Sequence, residues 1–235
     1  MKNITIIFKK EMKMSDLIDA DYRLLLLLHR LNMSLGFGEK SVKAVCEENN
    51  FDADCFIFLA NYQSNKSIVN IDEAFETLPL EPFLYYLSSS HSYFLEKRLP
   101  NIRRKLEIVF SSTNKDLQVI VLRFFDDYTQ EVFDHMHYEN DVVFPYIRSL
   151  LSNTNKDSYS IKDFEERHND IDGKMNELKQ ILMKYVSGSV DQLLMINILI
   201  ELYMSEEELE AHTFIEDQLV IPRVKRIEKG EDKYK

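Results

Sequence analysis

These 235 residues predict an all-α chain, an antiparallel up-down four-helix bundle preceded by a small helical N-terminal domain. Three observations carry that expectation. Glycine and proline number only 5 each, too few for the turns of an all-β fold. Hydrophobic residues make up 45% and charged residues 29%, the mixture of a globular chain rather than a disordered one. From about residue 81 onward, apolar residues recur at helical spacing in four long spans separated by short polar breaks.

In chain order, residues 14–62 read as several short helices, with the two glycines of "LGFG" at 35–38 marking a turn. The stretch "SVKAVCEENNFDADCFIFLANY" places Val42, Val45 and Cys46 on one face and Phe56 and Leu59 on another. "QSNKSIVNIDEAFETLPLEP" is polar with two prolines and reads as a linker, giving domains 1–75 and 76–235. The four long spans then cover about 81–110, 117–150, 161–186 and 190–228, broken by "SSTNKD" (111–116), "SNTNKDSYS" (152–160) and "SGS" (187–189). Short connections make sequential helices antiparallel neighbours, and facing side chains in such a bundle build metal sites in its core.

Charge and cysteine content narrow the partners. With 40 acids against 29 bases the formal net charge is -11, which repels phosphate backbones and anionic membranes, so no nucleic-acid or membrane partner is expected. Cys46 and Cys55 form no CxxC pair and no disulfide framework, which fits a reducing compartment. "MKNITIIFKKEM" has too short an apolar run and no small-residue cleavage site for a signal peptide. The longest apolar runs, "LLLLL" and "LLMINILI", fall far below the roughly 20 residues that span a bilayer. A cytoplasmic protein is expected.

The strongest signal is an internal repeat. "FDHMHYENDVVFPYI" (133–147) has an echo in "EAHTFIEDQLVIPRV" (210–224), aligning His135, Glu139 and Pro145 with His212, Glu216 and Pro222. His91 precedes His135 by 44 residues, and His168 precedes His212 by the same 44. Each helical hairpin thus offers one histidine from its first helix, then a histidine and a glutamate four residues apart on its second. That spacing puts both side chains on one helix face, close enough to share a metal centre. A single His-x-x-x-Glu is a weak motif, usually a surface pair, but a surface pair has no reason to recur with its hairpin partner. The candidate metal ligands are therefore His91, His135, Glu139, His168, His212 and Glu216. Nitrogen and oxygen donors without thiolate suit iron or manganese, and four imidazoles with two carboxylates suit two iron ions; zinc would usually take fewer ligands. Apolar residues flank the ligands on the same face, Leu87 and Phe94 around His91 and Phe164 and Ile171 around His168, so the set is expected to point into the bundle.

Other polar residues weigh less. His137 has Phe214 as its counterpart and points about 200° away from His135, as a solvated or outer-sphere histidine. His29 reads as a partly buried structural histidine. Glu131 aligns with Glu208, each one turn before a ligand histidine; both are either outer-sphere acids, liners of an ion path, or part of a solvated face.

The order H…H-x-x-x-E…H…H-x-x-x-E, with "ENDVVFP" and "EDQLVIP" closing the second and fourth helices, resembles a hemerythrin-like di-iron domain. "LGFGEKSVKAVCEENNFD" followed by "FETLPLEPFLYYLSSSHSYFLEKRLPNI" resembles the bacterial iron-sulfur cluster repair di-iron proteins, also called repair of iron centres proteins. That resemblance implies that the six named residues hold two iron ions, oxo- or hydroxo-bridged, with Glu139 and Glu216 bridging. It also implies protection against nitric oxide and oxidative damage and the return of iron to damaged iron-sulfur clusters, with O2 or NO and apo iron-sulfur proteins as partners. This chain departs from the family at one place: Leu35 and Gly36 stand where adjacent cysteines precede a GG turn. The second expectation is a sensor of O2, NO or redox state signalling through the N-terminal domain; the third is a purely structural bundle. The oligomeric state stays open, with a homodimer through the small apolar N-terminal segment as one option, and whether the chain is an enzyme stays open too.

Overall fold

The computed structural model describes residues 7–65, 70–111, 115–154, 159–165, 172–186 and 190–231. Among these residues there is no β-strand, only an isolated bridge between Lys13 and Ser41, and the fold is all-α with a helical bundle, as predicted. The chain divides into two compact units, Met1–Ser90 with Phe214–Lys235, and His91–Thr213.

The first unit opens with α1 (Met14–Ala20), α2 (Leu24–Arg30), α3 (Val42–Glu48) and α4 (Ala53–Ser64). Ser41 and Asp52 cap α3 and α4 by accepting from the amides of Ala44 at 3.2 Å and Cys55 at 2.8 Å, satisfying donors the helix itself leaves open. The "LGFG" turn needs its glycines: Gly36 and Gly38 have φ of 93° and 58°, the left-handed region that side chains disfavour. Met14, Leu17, Leu24, Val42, Cys46 and Phe56 are fully buried and form the centre of this part. Buried Asn61 ties down the chain before α1, accepting from the Phe8 amide and donating to the Phe8 carbonyl. Next come α5 (Ile71–Thr77), capped by Asn70, and α6 (Glu81–Tyr93), whose first residues up to Ser90 belong here. The far end of the last helix completes the unit: Phe214 stacks on Tyr62 at 4.0 Å, and Arg223 donates to the Leu78 carbonyl.

In the second unit α6 passes through a π-helical turn (Phe94–Arg98) into α7 (Leu99–Phe110). α8 (Lys115–Tyr138) continues through a π turn (Glu139–Val143) into α9 (Phe144–Leu151). α10 (Ile161–Glu165), α11 (Asp172–Tyr185) and α12 (Gln192–Ile215) follow, the last continuing through a π turn (Glu216–Val220) into α13 (Ile221–Glu228). Long unbroken helices thus cover Glu81 to Phe110, Lys115 to Leu151 and Gln192 to Glu228, close to the spans the sequence predicts; the breaks at 112–114, 155–158 and 187–189 lie outside the described residues. The inward stripe of α8 is Val121, Phe125, Tyr128, Val132 and Met136, spaced by four, three, four and four residues and each at most 1% exposed. It packs with Ile102 and Leu106 of α7, Leu178 and Leu182 of α11 and Ile198 and Leu202 of α12. Each fully buried side chain of this size stabilises the fold by about 1.5–3 kcal/mol, whereas the half-exposed Arg103–Asp126 pair joining α7 to α8 contributes about 0–1 kcal/mol.

The three π turns share one cause. Pro100, Pro145 and Pro222 each stand second after a five-residue π segment. Proline has no amide hydrogen, and its ring clashes with the carbonyl four residues back, so an undisturbed α-turn cannot run through it. The turn widens instead: the amides of Leu99, Phe144 and Ile221 reach back five residues, to the carbonyls of Phe94, Glu139 and Glu216. Such single wide turns inside α-helices are frequent at functional sites.

Candidate metal centre

Two of the wide turns begin on candidate ligands, Glu139 and Glu216, and the third begins three residues after His91. His91 comes from the last turn of α6 and is fully buried. Its Nε2 lies 3.0 Å from Nε2 of His212 on α12 and 3.2 Å from Oε2 of Glu139. The other carboxylate oxygen of Glu139 lies 3.2 Å from His135 Nε2, one turn earlier on the same helix. Glu139 therefore spans two imidazoles, one from α6 and one from α8. Glu216 stands one turn beyond His212 on the unbroken last helix and is 1% exposed. Ligand-capable atoms of His91, Glu139, His212 and Glu216 lie within 4.8 Å of one another, and all four residues are buried.

His91 is aimed by its neighbours. Its Nδ1 lies 3.0 Å from Oδ1 of Asn140, an acceptor, so Nδ1 carries the proton and Nε2 presents its lone pair to the cluster. Its ring stacks on Phe144 with centroids 5.5 Å apart. Among the described members of the set His135 has the most exposure, 17%, and its ring faces Phe164 at 6.3 Å. Phe144 and Phe164 are at most 3% exposed, so two aromatic rings wall the imidazoles from water.

The donor set fits a cation. Two carboxylates in a water-poor core cost several kcal/mol each unless compensated, and two imidazole nitrogens 3.0 Å apart must share a proton or a positive ion. Imidazole nitrogen and carboxylate oxygen without thiolate match iron, manganese or zinc. The two cysteines stand apart from this chemistry. Both are free and buried; burial pushes the Cys46 thiol up to about 12 and raises that of Cys55 further, so neither is a thiolate at neutral pH.

Of the six sequence-predicted residues, then, the structure brings His91, Glu139, His212 and Glu216 together and sets His135 against Glu139; His168 lies outside the described residues, as does Ile171. Leu87, Phe94 and Phe164 are buried, as expected of ligand-flanking positions. His137 is 58% exposed and pairs with Asp141 at 2.9 Å, the solvated option. His29 is exposed, not partly buried, because it falls on the outer side of α2 while Leu24, Leu27 and Leu28 take the inner one. Glu131 pairs with Lys174 on an exposed face, whereas Glu208 is four-fifths buried against Arg98 at 2.6 Å. Sequence reasoning missed Asn140 and Phe144, whose only signal is their place after Glu139, the one inside the wide turn and the other directly after it, and it did not foresee the wide turns. Their signal was present: a proline inside each long helical span, six residues after the glutamate in two of the three turns.

A search among curated proteins found none that matches this chain. The family model of the hemerythrin HHE cation-binding domain matches residues 90–228, more than half of the chain and every candidate ligand. With that match and a buried His/Glu cluster of metal-binding composition, the chain belongs to the hemerythrin HHE cation-binding family.

Proposed function

We propose that this metal-binding protein holds two iron ions and serves in the repair of iron-sulfur clusters damaged by oxidative or nitrosative stress, by donating iron or by handling NO and oxygen species. The observation that carries the reading is the doubled His…His-x-x-x-Glu pattern, four of whose six residues converge in one buried cluster. His91, His135, Glu139, His168, His212 and Glu216 would hold the irons, with the two glutamates shared between them. The bound pair supplies a redox-active centre with room for a diatomic ligand, since four imidazoles leave coordination positions open. The rest is done by the chain itself. Asn140 orients His91, Phe144 and Phe164 exclude water, and the two carboxylates provide negative charge that holds the cations. Solvent and small ligands reach the site on the side of His135, the most exposed of its described members. Apo iron-sulfur proteins in the cytoplasm are the proposed iron acceptors, and the division into an N-terminal domain of 1–75 and a bundle of 76–235 belongs to the same reading.

The test is iron-dependent recovery of an iron-sulfur enzyme inactivated by NO or peroxide. The reading expects recovery above that given by the same quantity of free iron; recovery no greater than with free iron sinks the repair role. A second reading, a sensor of O2, NO or redox state signalling through the N-terminal domain, is favoured by the burial of both cysteines, which leaves no reactive thiol for a thiol-linked repair step. It predicts that NO or O2 changes partner binding or oligomeric state with no iron transfer.

A further inference from the structure

The first half of helix α12, Leu193 to Ile200, carries apolar residues on its outer as well as its inner side. Its inward residues Met195, Ile198 and Leu202 are at most 5% exposed, yet Leu193 is 70%, Ile196 51%, Ile200 52% and Tyr203 43% exposed. The steps between these four are three, four and three residues, the spacing of a helix-pairing seam. Tyr203 is held in place: the Lys179 ammonium sits 4.2 Å from its ring centroid, and its hydroxyl donates to Met183 Sδ at 3.7 Å. Met183, 44% exposed, widens the patch. An exposed apolar area of this kind marks an interaction site.

We propose that this stripe docks a second copy of the chain, α12 against α12, antiparallel about a two-fold axis that crosses the outer face level with Ile198. A two-fold interface uses one patch twice, so the patch must complement itself. This one does. Leu193 and Tyr203 stand equally far from Ile198, as do Ile196 and Ile200, so antiparallel pairing sets Leu193 against Tyr203 of the partner subunit and Ile196 against Ile200 of the partner subunit. The charge pattern permits it despite a net charge of -11: no ionisable residue occurs from Leu193 to Ile200, and Glu201 is neutralised by Lys105 of its own chain. Size sets the strength. Four side chains about half exposed, on a scale of roughly 200 Å² for a large apolar residue, offer about 400 Å² per copy, near half of the ~800 Å² per partner in a stable interface. Met183 and the rim add to it, so the dimer is weak and concentration-dependent. It does not rest on the metal reading, and it lies on a different surface from the N-terminal segment that the sequence suggested for dimerisation.

Sedimentation equilibrium of the full chain over about 1–100 μM, concentrations suited to a weak, transient interface, tests it. Weight-average mass should rise from that of the 27.9 kDa chain towards twice that value. Ile196→Glu, which sets carboxylates into the seam at an exposed helical position, should hold the mass at one chain with an unchanged far-ultraviolet CD spectrum. A wild type monomeric throughout, or a variant that dimerises as well as wild type, overturns the proposal. A second readout needs no loss of fold. Ile196→Cys and Ile200→Cys chains, mixed and oxidised, should cross-link faster than either alone, since Cys46 and Cys55 are buried and do not compete. Faster cross-linking of each alone indicates parallel pairing and also overturns it.

Discussion

Changing Glu139 to Gln keeps the shape of the side chain and removes one buried negative charge, so it separates the carboxylate's two roles by sign. In the metal-loaded protein a ligand is weakened. A donor shared between His91 and His135 at 3.2 Å on either side does more than an outer-sphere partner, whose loss costs 10–100-fold in metal affinity, so about a hundredfold is the lower expectation. With metal in large excess, a hundredfold weaker affinity removes about 2.7 kcal/mol of metal-linked stability. At roughly 2–4 °C per kcal/mol for a chain of this size, the rise in Tm on adding iron should shrink by about 5–10 °C. In the metal-free protein the sign reverses. A fully buried carboxylate costs several kcal/mol to desolvate, and the neutral amide does not, so metal-free Glu139→Gln should melt at or above metal-free wild type. Differential scanning calorimetry of both proteins, with chelator and with ferrous iron under anaerobic conditions, measures all four values. Equal iron-induced shifts in the two proteins would refute the assignment of Glu139 as a ligand, and a metal-free variant melting well below metal-free wild type would refute the burial argument.

Four further outcomes follow from the same geometry. His135→Ala should lose iron and some thermal stability, whereas His137→Ala, at an exposed position that pairs with Asp141 and stacks on Phe133, should change neither in an elemental analysis of the purified variants. Asn140→Ala, which frees His91 Nδ1, should weaken metal binding by about 10–100-fold in competition with a chelator while leaving the ligands intact. Pro145→Ala restores an amide donor and lets the wide turn relax towards an α-turn, which moves Glu139; metal affinity should fall by about tenfold or more with no loss of helix content by CD. In the N-terminal unit burial opposes ionisation of Asp21, but the hydrogen bonds and charge of Arg23 outweigh it and hold the carboxyl below its usual range. The stability it contributes is therefore present above about pH 4 and lost as pH falls through the lowered value, so denaturant unfolding of Asp21→Asn should depend less on pH between about 5 and 2 than that of wild type.

The sequence carries much of this molecule because its signals are periodic. The four-residue His-Glu spacing and the 44-residue hairpin spacing are properties of helices, fixed by the turn and by the length of a helical hairpin, and the helical spans follow for the same reason. What stayed hidden depends on contacts between helices or on departures from ideal helix geometry. Asn140 earns its place only because the residue after Glu139 faces His91 of another helix. The wide turns were legible as Pro100, Pro145 and Pro222 inside long helical spans, but reading them needs the consequence of a proline in mid-helix as well as its presence. His29 shows the opposite error: a histidine in a leucine run looked half-buried, yet in a short helix only one side is covered.

The central claim is that a buried His/Glu cluster holds iron as a pair. Elemental analysis of protein purified and reconstituted with ferrous iron, taken together with its absorption spectrum before and after reduction, tests that most directly. The account predicts two iron ions per chain, near-ultraviolet bands of an oxo-bridged diferric centre that vanish on reduction, and loss of both in Glu139→Gln. Protein that holds no stoichiometric metal, or a Glu139→Gln variant that retains the full complement, would contradict it.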